Sequence, residues 1–166
     1  MSPTAHLLHG FVGSGKTTFA RKLETELPAM RFTHDEWMHR LYGCNPPAAE
    51  FAELSDRVDA LIWNCAERSL ALGCDVILDF GFWTRSSRDQ ARGRIDALGL
   101  RCVLYSVEVP ETLARKRVAI RTQKVPDDSL WINAEAFDLF KTRFEPLHID
   151  EPHVSIDGMS GHANPQ

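Results

Sequence analysis

Ala5-His6-Leu7-Leu8-His9-Gly10-Phe11-Val12-Gly13-Ser14-Gly15-Lys16-Thr17-Thr18-Phe19 is the stretch that decides the fold. Ala5–His9 is a short apolar run leading straight into glycines, which predicts a buried strand. Gly10 to Thr17 then fits the pattern G-x-x-x-x-G-K-[ST]. Glycines let the backbone turn tightly and aim successive N–H groups at phosphate oxygens. A helix is predicted from near Gly15, because Phe19, Leu23 and Leu27 recur every four residues until Pro28 stops them. Its positive N-terminus faces the same anion. Lys16 can reach the β- and γ-phosphates, and the Thr17 hydroxyl can bind Mg²⁺. The expected cradle is Gly10, Gly13, Ser14, Gly15, Lys16, Thr17 and Thr18, with ATP and Mg²⁺ as its cofactors.

Working outward, strands and helices alternate. Met30–Thr33 predicts a second strand. Asn45 before Pro46 reads as the start of a helix carrying Phe51, Leu54, Val58, Leu61, Ile62 and Cys65, with Gly73 beyond its end. Val76–Leu78 is a continuous apolar β-favouring run, as in a parallel strand covered on both faces. Ala91, Ile95 and Leu98 mark another helix, closed by Gly99. Cys102–Val109 reads as a strand, Pro110 to about Arg121 as a helix, Gln123–Ser129 as a loop, Ala134–Phe144 as a helix and Val154–Ile156 as a last strand. This alternation predicts an α/β fold, a parallel sheet with helices on both sides.

The chain has 166 residues, 43% hydrophobic and 25% charged, enough for one domain with a core of its own. We read a single domain over residues 1–157, with a lid near 117–132, and a loose polar tail over 158–166. The net charge of −4 argues against stable nucleic-acid binding. Cys44, Cys65, Cys74 and Cys102 form no CxxC pair and read as reduced thiols. No apolar run approaches a membrane span, and no basic n-region precedes the first apolar stretch. A cytoplasmic protein without membrane contact, monomer or homodimer, is the expectation.

A phosphate cradle does not by itself separate kinase from switch or motor. The guanine-reading N-K-x-D is absent from the sequence, and the chain is short for a large motor. A compact phosphotransferase needs an acceptor hydroxyl, a carboxylate to orient or deprotonate it, and cations around the transferring group. Asp35 follows the second predicted strand, where α/β sheets bind ligands, and reads either as the acceptor's base or as the N-cap of a helix over Glu36–Leu41. Asp79 ends the Val76–Leu78 run and reads as a holder of magnesium-bound water, as an acceptor contact, or as a turn residue. Arg85 and Arg88 follow it and either hold an acidic acceptor or face solvent. Arg117, Arg121 and Lys124 share one helix face before Pro126. The two arginines are read as closing over ATP and neutralising charge in the transition state. Trp37, Trp63, Trp83 and Phe82 either line the acceptor pocket or belong to the core.

These motifs resemble the small P-loop kinases. That group includes adenylate, shikimate and gluconate kinases, the kinase domain of polynucleotide kinase, chloramphenicol phosphotransferase and the zeta toxins. The chain looks most like the AAA-type ATP-binding proteins near the polynucleotide-kinase and zeta-toxin branch. The resemblance runs from Ala5 to about Ile156. Asp79-Phe80-Gly81-Phe82-Trp83-Thr84-Arg85 is similar to the D-G-F-P-R of adenylate kinases, with Phe80 inserted and the proline replaced. The resemblance implies a three-layer P-loop NTPase fold, a five-stranded parallel sheet of order 2-3-1-4-5, and Mg-ATP as donor. It implies transfer of the γ-phosphate to a hydroxyl of a small-molecule acceptor. A polynucleotide 5′-hydroxyl kinase and a non-catalytic ATP sensor are the competing readings.

Two motifs are decoys. Asp79-Phe80-Gly81 spells a protein-kinase triplet, but the chain lacks the length and the H-R-D loop of that fold. His34 and His39 stand five apart and diverge by about 140° on a helix, unlike the metalloprotease H-E-x-x-H. His9, beside the cradle, reads as a packing residue.

Overall fold

The strand leading into the glycines, β1 (Thr4–His9), lies at the centre of the sheet and is buried along almost all of its length. In the computed structural model, residues 2–124 and 130–163 are described. After β1 come α1 (Lys16–Glu26), β2 (Ala29–Thr33), α2 (His34–Tyr42), α3 (Phe51–Ala71) and β3 (Asp75–Gly81). They are followed by α4 (Arg85–Ala97), β4 (Arg101–Glu108), α5 (Glu111–Lys124), α6 (Ala134–Arg143), β5 (Val154–Asp157) and β6 (His162–Ala163). The strand order is β2-β3-β1-β4-β5-β6. The first five of these are parallel, in the expected order 2-3-1-4-5, and β6 adds an antiparallel edge.

Alternation along the strands sorts the core into two faces. Leu7, Val76 and Leu78 meet Met38, Ile62, Trp63 and Ile95 from α2, α3 and α4. Leu8 and Ile77 point the other way, toward Phe19, Ala20 and Leu23 of α1. A third cluster, with Val12, Ala114, Val118 and Phe137, packs α5 and α6 against the loop after β1. These helices carry the loop between β1 and α1 as a fixed platform.

Three boundaries differ from the sequence reading. The long helix starts at Phe51, not near Asn45, because Pro46 precedes Pro47 and a residue before proline avoids the helical region. Strand β3 runs past Asp79 to Gly81, so Asp79 lies within it, opposite Thr33 at the end of β2. The stretch expected as a loose tail turns at Gly158–Gly161, where Gly161 N–H donates to the Asp157 carbonyl, and returns as β6. Of the expected lid, Arg117 to Lys124 are helical and residues 125–129, with Pro126, lie outside the described residues.

Candidate active site

The cradle forms because its glycines fit where side chains do not. Gly13 has φ +78°, and a Cβ there would come 2.5 Å from the Ala114 carbonyl oxygen. Gly15 has φ +99° and caps α1 without any side-chain hydrogen bond. The first-turn amides of α1 therefore face the loop uncapped by a side chain, an arrangement that favours an anion. Arg117 fastens the cradle from α5: its Nη1 donates to the carbonyls of Gly13 at 3.4 Å and Gly158 at 3.0 Å.

Charges converge beside the cradle. Lys16 Nζ donates to the Phe11 carbonyl at 2.9 Å. Thr17 Oγ1 donates to Asp79 Oδ2 at 2.7 Å, and Thr33 Oγ1 donates to the same oxygen at 3.2 Å. Burial pushes the Asp79 carboxyl above its ordinary range, against the pull of Lys16 and the Thr17 hydrogen bond. Burial likewise lowers Lys16, although Asp79 and Asp35 favour its charge.

Asp35 opens α2, in the first turn and not at the cap, which is Thr33. Its side chain is about half exposed, at 47%. Burial would raise its carboxyl, but the adjacent His34 imidazole, Lys16 and Arg121 together hold it below the usual range. His34 Nδ1 lies 3.5 Å from Asp35 Oδ1, and His34 Nε2 lies 3.1 Å from Ser55 Oγ. His34 is itself raised, because Asp35 and Asp59 outweigh its burial.

Two clefts open on this centre. One of about 390 Å³ is lined by Gly13, Lys16, Thr17, Arg117, Arg121 and the Gly158–Gly161 turn. Arg121 Nε is buried there without a hydrogen-bond partner among the described residues. The other, about 590 Å³, lies between α3, α4 and the end of β3, and includes His34, Ser55, Asp59, Trp63, Phe80 and Trp83. Trp83, in the wall of the second, reaches the loop after β1, its Nε1 donating to the Gly10 carbonyl at 3.2 Å.

The structure brings Lys16, Thr17, Asp35, Asp79, Arg117 and Arg121 together and removes the other two arginines. Arg88 is fully buried and spends its donors on Glu151 (2.7 and 2.9 Å) and on the carbonyls of Phe82, Trp83, Glu145 and Pro146. It is not available to an acceptor. Arg85 is held by both oxygens of Asp150 at 2.9 Å and by Asp89, outside both clefts. Neither supplies the acidic-acceptor clamp expected from sequence. Trp63, Trp83 and Phe82 line the second cleft, while Trp37 packs beside Phe32 instead. Lys124 is exposed at the end of α5. His9 stacks on Phe144, its Nδ1 lies 3.1 Å from the Phe82 carbonyl, and burial lowers it to about 4, so it is neutral and structural.

Sequence reasoning missed His34 as Asp35's partner, Asp59, and the glycine turn after β5. For the turn, Gly158 and Gly161 three residues apart, after Asp157, were the available signal. Phe82 has φ +43°, a strained value for a bulky residue, held by the bonds its carbonyl makes with His9 and Arg88.

The profile of the AAA-domain family matches residues 6–147. No curated protein matches the chain's sequence at a significant level. Among solved structures, a candidate kinase from Chloroflexus aurantiacus superposes with TM-score 0.73 at 16% identity, over 95% of this chain and 89% of that one. A gluconokinase from Sinorhizobium meliloti gives 0.60 at 17% identity, over 94% and 83%. A chain of the Pnkp1/Rnl/Hen1 RNA repair complex gives 0.66 at 22% identity, over 85% of this chain and 43% of its own length. These likenesses share the fold.

Proposed function

Because the chain belongs to the AAA-domain family, we propose that it is an ATP-dependent phosphotransferase that moves the γ-phosphate to a hydroxyl of a small-molecule acceptor. The observation that carries this is the meeting of Lys16, Asp79, Asp35 and Arg121 in one electrostatic cluster beside the loop.

The loop amides and the start of α1 hold the phosphates. Lys16, now on the Phe11 carbonyl, turns to the β- and γ-phosphate oxygens. Thr17 and Asp79 suit Mg²⁺: a hydroxyl and a carboxylate lie 2.7 Å apart, both hard oxygen donors, in a site that favours added positive charge. The ion would draw charge from the transferring phosphoryl oxygens. Asp35 orients the acceptor hydroxyl and takes its proton as the new O–P bond forms and the bond to ADP breaks. A carboxylate kept ionised suits this, since proton transfer comes late in a loose transition state. Arg117 and Arg121 neutralise charge from the opposite wall.

The test is transfer of labelled phosphate from ATP to a library of hydroxyl-bearing metabolites. We expect product with some acceptor and a loss of about 100- to 10,000-fold in Asp35→Asn with nucleotide affinity kept. Normal transfer by Asp35→Asn, or ATP binding without product from any acceptor, defeats the proposal.

A further inference from the structure

The second cleft carries an acidic charge that its protein surroundings compensate only in part. Asp56 and Asp59 line it from α3, and neither has a hydrogen bond or ion pair among the described residues. Asp59 is partly buried, and burial pushes its carboxyl up, although His34 and Arg94 draw it down. Of the cleft's cations, His34 is shared with Asp35 and Ser55, and Arg94 is already engaged. It donates to Glu67 at 2.9 and 2.6 Å and lies 4.3 Å over the Trp63 ring. Arg88 is consumed by Glu151 and Arg85 by Asp150, so α4 sends no free guanidinium into the cleft.

The walls are aromatic. Phe80 stacks on Phe82 at 5.4 Å, meets Trp63 edge-on at 6.3 Å, and faces His34 at 5.8 Å. Trp83 closes the side toward the cradle. Aromatic faces attract cations, and a partly buried carboxylate without a partner does so more strongly. The same acidic lining repels a phosphate or carboxylate.

From this we propose that the acceptor is a ring-bearing, hydroxylated amine, of the amino-sugar or aminocyclitol class. Its ammonium is received by Asp59 and Asp56, and its ring packs against Phe80 and Trp83. This rests on the phosphotransferase reading above for the reaction, but the binding claim stands on the cleft alone. In the transfer, the hydroxyl nearest Asp35 gains the γ-phosphoryl group of the nucleoside triphosphate, its proton passes to Asp35, and ADP leaves.

The experiment is calorimetry without nucleotide, followed by transfer from labelled ATP. The probes are 2-deoxystreptamine and glucosamine, their N-acetylated counterparts, and gluconate and adenosine 5′-monophosphate as anions. We expect at least one amine to bind about tenfold or more tightly than its N-acetylated form and than either anion. Asp59→Asn should weaken that amine about tenfold while leaving ATP affinity unchanged. Equal binding of amines and N-acetylated forms, tighter binding of an anion, or an unaltered Asp59→Asn overturns the proposal. Amine binding with no phosphorylated product, from these probes or from the wider acceptor library, would uphold the cleft's amine binding and sink the kinase reading, so the two failures are separable.

Discussion

Two buried ionic clusters stand at the same end of the sheet, and they are built on opposite terms. In one, Glu151 takes two bonds from Arg88, one from the His148 amide and one from Arg92, and is pushed down to about 2. In the other, Asp79 takes bonds from Thr17 and Thr33 and stands near Lys16, yet burial still pushes it up. The first cluster closes on itself: it ties the 145–151 segment to α4 and has nothing left to offer a ligand. The second keeps an under-compensated carboxylate, a lysine resting on a carbonyl and an arginine nitrogen without a partner. Satisfied charge is structure; unsatisfied charge at a cleft is a place for chemistry.

The two clusters should therefore separate activity from stability. Lys16→Ala removes the cation at the phosphates and should cut transfer about 1,000-fold or more, with little change in melting temperature. Its charge is disfavoured by burial, so the fold loses little with it. Glu151→Ala should do the reverse. It strands a buried guanidinium, at a cost of about 3–5 kcal/mol, or about 10 °C in Tm. Nucleotide affinity, measured well below the melting point, should stay near wild type. Arg88→Met with Glu151→Leu should recover most of the loss. The pH dependence has a definite sign. The folded-state value of Glu151, about 2, lies below the ordinary 4.5. Its stabilisation is therefore present above the ordinary carboxylate range and lost as pH falls toward 2. Acid titration of the wild type against Glu151→Ala should show the gap close over that window.

How much of this was legible in the sequence follows from range. The cradle was legible because its eight residues are consecutive and flanked by a clear strand and helix. Asp79 was legible because an apolar run points to it. The Arg88–Glu151 pair was not, because 63 positions separate its members and no local pattern links them. A partial signal existed: Arg88 stands three and seven residues before Ala91 and Ile95, so it shares their buried face. A charge on an apolar stripe asks for a buried partner, and the sequence does not say where. The second cleft is less legible still, since its lining is drawn from four separate elements, α2, α3, β3 and α4. Pro46-Pro47 misled at the start of α3, because the proline signal for a helix start was read without the bias that the second proline imposes.

A smaller effect sharpens the contrast from the other cluster. Asp79→Asn should abolish transfer and raise stability at neutral pH by about 1 kcal/mol, or about 2–4 °C. Because its folded-state value is raised, the protonated form is the one the fold favours. That advantage is present at low pH and is lost as pH rises through the raised value. Asparagine keeps the neutral form at every pH. The variant's gain should thus open as pH rises and vanish in acid, the opposite slope to Glu151. Thermal melts across pH decide it, and a destabilised Asp79→Asn at pH 7 would mean that Lys16 needs this carboxylate more than burial disfavours it.

The smallest effect belongs to Arg85, at the exposed edge of the first cluster, 3.7 Å from Glu151 Oε1. It is about one-third exposed and clamped by Asp150 and Asp89. Surface pairs of this kind are screened by solvent and contribute little. Arg85→Ala should shift Tm by no more than about 2 °C and leave the acceptor KM unchanged. The informative readout is KM: a severalfold rise for an anionic acceptor, with kcat kept, would show Arg85 leaving Asp150 to hold the substrate. That result would restore the acidic-acceptor reading and blur the division between closed and open charge, whereas an unmoved KM leaves the acceptor's recognition to the carboxylates of α3.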